Sequence, residues 1–202
     1  MTLTIKQSLD EEDDDDDDDE DEVYGVTSAF DLHNNTEVAK QILAYLETNS
    51  KDSKNEDIIK VINDSNNKVA LIVSERYVNL PPALSVPAFE NLVKELQNSR
   101  TVQFSHFVII SKILRPKSKK SKKKVKGVII QPVDIIYSNG EEELFDEKAT
   151  HSFEFSVAHQ CDENIRDGNW DDDDTEYTPL RKVMLLERET FFDVVTRLKD
   201  VV

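Results

Sequence analysis

A run of 13 consecutive acidic residues, from Asp10 to Glu22, sets the first limit on what this chain can fold into. A segment of this kind repels itself, stays hydrated and has no apolar side chain to bury. We therefore predict that residues 1–22 are a disordered acidic tail and that residues 23–202 form a single domain. The centre of the tail is an uninterrupted series of aspartates: Asp13, Asp14, Asp15, Asp16, Asp17, Asp18 and Asp19.

The charge outside this run is also unevenly distributed. The whole chain has a net charge of −17, and removing the acidic run leaves 29 acidic and 25 basic residues. Nine lysines and arginines, without an acid, lie between Lys112 and Lys126, whereas eight acids and one arginine lie between Asp162 and Glu176. Segments with one sign of charge stay solvated and often bind partners. We predict a basic loop at 115–126 and an acidic loop at 158–179.

The chain has a single cysteine, and its apolar runs are short. One thiol forms no internal disulfide, which favours a reducing compartment. No run approaches the roughly 20 apolar residues that span a bilayer, so we predict no transmembrane helix. The first residues of the sequence contain no apolar core of a secretory signal.

Strand-like and helix-like segments alternate after the acidic run. Residues 68–74 are a continuous apolar run with β-branched side chains, which is typical of a buried strand. Residues 85–96 repeat apolar side chains at helical spacing, with Pro87 in the first turn. The resulting class is α/β or α+β, with a mixed sheet of about six strands flanked by helices. The further predicted strands are 23–32, 104–114, 127–136, 151–157 and 181–186, and the further helices are 36–48, 56–63, 141–148 and 189–201.

The segment Ser74 to Leu96, SERYVNLPPALSVPAFENLVKEL, resembles the BCCIP family. That family has a Ser-Glu-Arg-aromatic-x-Asn-Leu-Pro-Pro stretch leading into a helix. Further segments resemble the family in the same order along residues 5–202, which makes the resemblance fairly specific. They are Tyr24-Gly25, His106 to Lys112, Phe145 to Val157 and Arg181 to Leu198.

The resemblance implies a function as well as a fold. It implies a fold like that of the GNAT acetyltransferases, nuclear export of a phosphoinositide kinase with nuclear transport receptors, and escort of a newly made large-subunit ribosomal protein. We therefore expect a non-enzymatic chaperone of basic client proteins, active in protein transport and ribosome biogenesis in the nucleus and cytoplasm. An active GNAT-type acetyltransferase and an acidic histone-type chaperone are the alternatives.

We expect no cofactor and no catalytic residue. A GNAT enzyme holds the cofactor pyrophosphate on backbone N–H groups at a helix N-terminus, usually within a glycine-rich loop. This chain has four well-separated glycines, and the helix concerned follows Pro81 and Pro82, which lack N–H groups. We also expect no metal site, because His151, His159 and Cys161 lack the close pair spacings of a structural zinc site.

Two sets of residues are candidates for contact with a partner. Glu75, Arg76 and Asn79 are distinctive polar residues, although the plainer interpretation is structural, with Asn79 and the prolines fixing a turn and Glu75 and Arg76 paired locally. The second set lies in the acidic loop, where an aromatic side chain among acids is suited to anchor a partner, although Trp170 is equally suited to cover the edge of the sheet. Its members are Trp170, Asp171, Asp172, Asp173 and Asp174.

The basic loop is interpreted as a nuclear localisation signal because it is a dense cluster of lysines. A merely solvated loop is the plainer alternative. We do not expect nucleic-acid binding, since aromatic residues are not interleaved with the lysines and the chain is strongly acidic. The lysines of the signal are Lys117, Lys119, Lys120, Lys122, Lys123, Lys124 and Lys126.

Members of the BCCIP family have a further N-terminal strand and helices before the strand that Tyr24-Gly25 resembles. This sequence starts close to that strand. We therefore expect an unpaired sheet edge there, and with it marginal stability or self-association, because exposed strand edges recruit other strands.

Overall fold

The computed structural model describes residues 2–6, 23–77, 80–117, 135–158 and 177–201. Its strands are β1 (Thr2–Lys6), β2 (Val23–Asp31), β3 (Val69–Arg76), β4 (His106–Pro116), β5 (Ile136–Tyr137), β6 (His151–Ser156) and β7 (Tyr177–Glu187). Its helices are α1 (Glu37–Asp52), α2 (Asp57–Asn63), α3 (Ser85–Asn98), α4 (Glu142–Lys148) and α5 (Arg188–Val201), with a 3-10 turn at Pro82–Leu84. None of these helices is long and apolar enough to cross a membrane.

The described strands form one mixed sheet, as predicted. The order is β1-β2-β3-β4-β7-β6, and β5 pairs with β4 away from this path. β3 and β4 are parallel and are connected through α3, whereas the other described pairs are antiparallel. The predicted mixed α+β class is confirmed, with seven described strands instead of about six. The likeness to GNAT enzymes stays a prediction.

Helices cover both faces of the sheet because the central strands are apolar on both sides. On one face α3, α4 and α5 enclose an aromatic core of Phe89, Phe107, Phe145 and Phe191. The centroids of the Phe107 and Phe191 rings are 4.5 Å apart. On the opposite face α1 and α2 pack a mainly aliphatic core that includes Leu46, Ile58, Ile62, Leu71, Val108 and Leu185.

Two predicted boundaries were wrong. Residues 2–6 are not part of a disordered tail, because β1 pairs antiparallel with β2 and gives that strand a neighbour on its outer side. β7 begins at Tyr177, so the predicted acidic loop extends too far. The first residues of this strand are polar or proline, so the sequence does not indicate a strand there. In the structure β7 nevertheless pairs with β4 without a break up to Pro116 opposite Tyr177. The predicted strand over 127–136 lies mostly outside the described residues, which resume at residue 135.

The outer edge of β6 is covered by side chains. Ser53 Oγ donates a hydrogen bond to the Glu154 carbonyl at 2.8 Å, and Asn55 Nδ2 donates one to the Ser152 carbonyl at 3.0 Å. Both donors follow α1. Because unpaired strand carbonyls can recruit another strand, these bonds protect this edge against self-association.

Candidate functional site

All three charged segments of the sequence join the sheet at the same end. Gly25 lies opposite Arg76, and Pro116 lies opposite Tyr177. The last residues of β3 and β4 and the first residues of β2 and β7 therefore lie together, and we call this part of the sheet the open end. Residues 7–22 connect β1 to β2 there, residues 118–134 follow β4, and residues 159–176 precede β7.

β3 and β4 separate as they approach the open end. Their parallel pairing runs from Val69 opposite His106 to Ile72 opposite Ile109. Beyond this point a cavity of about 200 Å³ lies between the strands, with Ser74, Glu75 and Lys112 among its lining residues. Ligands of open α/β sheets commonly bind beyond the carboxyl ends of parallel strands, so this cavity is a candidate site.

A buried ion pair lies beside the cavity. Arg76, at the end of β3, donates two hydrogen bonds to the carboxylate of Glu141, and the bond from Nη2 to Oε2 measures 2.9 Å. The two side chains are 7% and 1% exposed. The bond to Glu141 raises the pKa of Arg76. This pair connects β3 to the residue that precedes α4.

Glu142, the next residue, lacks such a counter-charge. It is 5% exposed and lines the cavity. The Asn139 amide donates to its Oε1 at 3.1 Å, while its Oε2 has no hydrogen-bond partner among the described residues. Burial raises the pKa of Glu142 from its ordinary value of 4.5 to about 7, opposed by Asn139 and the nearby Ser111. The Ser111 hydroxyl is itself buried, lies near the Glu142 carboxylate and has no partner of ordinary hydrogen-bond geometry within the described part of the chain.

Glu75 and Arg76 do not pair with each other. Glu75 accepts a hydrogen bond from Lys112 of β4 at 2.5 Å, and both side chains are about half exposed. The alternation of side chains along β3 places Glu75 and Arg76 on opposite faces of the sheet. The local pairing offered as their structural interpretation is therefore wrong, and Asn79 lies outside the described residues.

A second polar cluster lies on the far side of α4. Asp146 Oδ2 accepts hydrogen bonds from the Tyr137 hydroxyl at 2.6 Å and from Lys182 at 2.5 Å. Glu154 lies 3.5 Å from Lys182 and accepts from Arg115 at 2.5 Å. Burial, followed by the bond to Asp146, raises the pKa of Tyr137. Because every charge in this cluster has a partner, it is suited to hold α4 against β7.

The open end also exposes large apolar side chains. Among the described residues, seven large hydrophobic side chains are exposed, and five of them lie in this part of the sheet. Tyr77 is 60% exposed, and its ring meets the Tyr24 ring edge-on at a centroid distance of 6.1 Å. Clustered exposed apolar groups mark interaction sites more often than scattered ones do. The five are Val23, Tyr77, Leu114, Ile136 and Tyr177.

The start of α3 offers few backbone donors to a phosphate. Pro81 and Pro82 have no N–H group. The Leu84 N–H donates to the Pro81 carbonyl at 3.1 Å, and the Ser85 hydroxyl donates to the Pro82 carbonyl at 2.8 Å. This arrangement differs from the row of free N–H groups that holds a cofactor pyrophosphate.

Of the remaining predicted site residues, one lies within the described ranges and the others lie outside them. Lys117 is described and exposed. No group of three potential metal-binding side chains occurs within the described ranges. The other predicted residues lie outside those ranges: Asp13 to Asp19, Lys119, Lys120, Lys122, Lys123, Lys124, Lys126, His159, Cys161, Trp170 and Asp171 to Asp174.

Sequence reasoning missed Glu141 and Glu142. It assigned them to the first turn of a short helix, where acidic residues are usually solvated and favourable. Their burial depends on Arg76, which lies 65 residues earlier, and on the separation of β3 and β4. The Asn139-Gly140 turn before them gave no signal of that contact.

The comparisons with known proteins all indicate the same family. The family model BCCIP matches residues 1–145. "BRCA2 and CDKN1A-interacting protein" of Mus musculus is 34% identical over 97% of this chain. "Protein bcp1" of Schizosaccharomyces pombe is 25% identical over 88% of it. This chain spans 65% of the mouse relative and 68% of the fission-yeast one.

A solved structure supports the fold. The crystal structure of BCP1 from Saccharomyces cerevisiae matches 91% of this chain and 65% of that chain, with a TM-score of 0.57. At 18% sequence identity the match concerns the arrangement of helices and strands.

Proposed function

Since this chain belongs to the BCCIP family, we propose that it is a non-catalytic binding protein that escorts basic client proteins between nucleus and cytoplasm. A newly made large-subunit ribosomal protein is the client we expect first. The name of the mouse relative describes that protein by its interactions with two other proteins, and this supports a binding role here.

The observation that carries the proposal is the composition of the open end. Exposed apolar side chains such as Tyr77 and Tyr177 lie where two acidic segments and the basic segment join the sheet, and the 13 and eight acids of the acidic segments outnumber the nine lysines and arginines of the basic one. Apolar contacts supply affinity to an interface, and aromatic side chains are the most effective of them. Acidic segments attract a basic client over a long range in a salt-dependent way. A basic protein is therefore the partner that fits both features.

The alternative of an active acetyltransferase receives less support. The cavity of about 200 Å³ is smaller than the roughly 300–1,000 Å³ of typical small-molecule sites. The prolines before α3 further reduce the backbone N–H groups that a pyrophosphate would need. Calorimetric titration with acetyl-CoA separates the two functions, because micromolar binding would overturn the non-catalytic proposal.

A capture experiment tests the proposed function directly. The tagged chain is incubated with cell extract, and bound proteins are identified by mass spectrometry at low and high salt. We expect large-subunit ribosomal proteins, released as the salt concentration rises. Capture of histones instead would favour the acidic histone-type chaperone, and capture of acidic proteins would overturn the choice of client.

Val38 provides a matched control for this experiment. It is 55% exposed and lies on α1, away from the open end. Replacing Tyr77 and Tyr177 with serine should reduce capture, whereas Val38→Ser should not. Equal losses in both variants would show that the open end is not the binding surface.

The lysine cluster is proposed to direct nuclear import. Replacing Lys119, Lys120, Lys122, Lys123 and Lys124 with alanine removes five positive charges from the lysine-rich segment. We expect the tagged variant to lose its accumulation in nuclei while its melting temperature stays within about 1–2 °C, since surface lysines contribute little to stability. Unchanged nuclear accumulation would contradict the assignment.

A further inference from the structure

The Glu142 carboxylate is the acid of the cavity that lacks a charged partner. It is buried, it accepts a hydrogen bond from the Asn139 amide and it lies near the Ser111 hydroxyl, so its neighbouring donors are neutral. A buried carboxylate without a counter-charge costs free energy in its ionised form. An arrangement with this cost is expected where a ligand group completes it.

Two of the three cations near this carboxylate already have charged partners. Arg76 is held by both oxygens of Glu141. Lys112 lies 2.5 Å from Glu75 and is nearly half exposed. Arg181 lines the cavity as well, where one of its N–H groups lies 3.5 Å from the Leu180 carbonyl. The alternation along β7 places Arg181 on the sheet face opposite α4, so Glu142 lies at the α4 side of the cavity and Arg181 at the other.

The rest of the lining is mostly apolar and limits the size of a ligand. Val73, Phe89, Ile109, Ile110 and Phe145 contribute to it. An apolar cavity of about 150 Å³ accommodates a molecule the size of benzene. A volume of about 200 Å³ is therefore suited to one long side chain with an apolar stem and a charged end. Lysine has this form, because its methylene groups pack on apolar surface while its ammonium group donates three hydrogen bonds.

We propose that this cavity receives a lysine side chain of the basic partner, with the ammonium group bound by Glu142 and the methylene groups packed on the apolar wall. The inference rests on the proposed function, because it takes the lysine from a basic client. It assigns Glu142 as a specificity residue within the open end. Acidic segments attract a client by net charge, whereas this cavity selects the length and charge of one side chain.

Proton release accompanies such binding. The charged groups around Glu142 are Glu141, Arg76, Glu75, Lys112 and Arg181. Arg76 and Lys112 are paired with Glu141 and Glu75, and Arg181 lies on the other face of the sheet. Burial keeps its pKa near 7, and an ammonium group beside it favours the ionised form and lowers that pKa. Near pH 6.5 binding should therefore release up to one proton, measurable as a difference in calorimetric enthalpy between two buffers of different ionisation enthalpy.

The test uses n-butylammonium chloride as a probe of the full chain, followed by NMR of isotope-labelled protein. We expect saturable shifts of the Ile109 and Ile110 methyl signals. The dissociation constant should rise at least tenfold in Glu142→Gln and should not change in Glu143→Gln, which removes an equal charge from an exposed neighbour on the same helix. n-Butanol and butyrate at equal concentration should bind more weakly. Binding of butanol as tight as that of butylammonium, preferred binding of butyrate, or the absence of shifts would each overturn the proposal.

The failure of this site is distinguishable from the failure of the proposed function. If Glu142→Gln captures basic proteins from extract as well as the parent does, the cavity assignment is overturned and the escort function stands. If the parent chain captures no basic protein, the escort function is overturned, and with it the assignment of the lysine to a client. Loss of capture in Glu142→Gln with full capture in Glu143→Gln supports both.

Discussion

The two ends of the sheet differ in how completely their polar groups are satisfied. At the end opposite the open end, which we call the closed end, backbone bonds link successive elements: Ser105 N–H to the Lys68 carbonyl at 2.8 Å, and Thr150 N–H to the Leu185 carbonyl at 2.8 Å. Arg188 joins α5 to this end by donating to the Phe104 and Leu96 carbonyls, and it lies 4.7 Å from the Phe192 ring centroid. The open end instead has a cavity, an unpartnered carboxylate oxygen and exposed tyrosines.

This difference indicates that the two ends of the sheet have different roles. The closed end and the aromatic core beside it provide the stability of the fold. The open end retains groups that are only partly satisfied in the free chain, such as the buried Glu142 carboxylate, which has no counter-charge among the described residues, and the exposed Tyr77 ring. Sites that bind partners commonly keep such unsatisfied groups on a rigid scaffold.

Phe191→Ala tests the stabilising side of the comparison and should have the largest effect. Phe191 is fully buried and contacts the rings of Phe89, Phe107 and Phe145. Its removal leaves a cavity in the aromatic core, so we expect a loss of about 3–5 kcal/mol in the free energy of unfolding. Chemical denaturation measures it, and a loss below about 1 kcal/mol would contradict the role assigned to this core.

Arg76→Ala and Lys112→Ala form a matched pair within the open end. Removing Arg76 leaves Glu141 buried without a counter-charge, and breaking a buried pair in this way typically costs about 3–5 kcal/mol. We expect about 3 kcal/mol, since the neighbouring cavity can admit water. Removing Lys112 breaks a half-exposed pair, which should cost less than about 1 kcal/mol. Equal losses in thermal or chemical unfolding would contradict the difference in burial.

Glu142→Gln should have an effect that depends on pH. The pKa of Glu142 is about 7 in the folded chain against an ordinary 4.5, so the folded state retains a proton that the unfolded state loses. Its contribution to stability therefore falls as pH rises from about 4.5 to 7 and stays constant above 7. A shift of this size corresponds to roughly 3 kcal/mol, or less where water reaches the cavity. The variant should gain stability over the parent at pH 8 and little at pH 4, while Glu143→Gln should show no such dependence. A constant difference across this range would contradict the raised pKa.

Sequence patterns predicted the fold better than the site. The apolar run of β3 and the helical spacing of α3 report burial directly, and Thr36 caps α1 as its residue type suggests, accepting a hydrogen bond from the Ala39 N–H at 3.2 Å. Burial of Glu142 leaves no such periodic signal, because it arises from contacts between segments that are distant in sequence. β1 was missed for a related reason, since pairing with β2 determines that strand. This pairing also removes the basis for the expected unpaired edge at β2.

The affinity for a basic client at the open end tests the central claim most directly. The most abundant basic protein captured from extract would be titrated into the parent chain, the Tyr77→Ser/Tyr177→Ser variant and the Val38→Ser control by calorimetry at physiological salt. Substitution of exposed residues should leave stability within about 0.5 kcal/mol in all three. We predict that the tyrosine variant binds at least tenfold more weakly, while the Val38 control binds like the parent. Equal affinity of all three chains would contradict the claim that the open end binds the client.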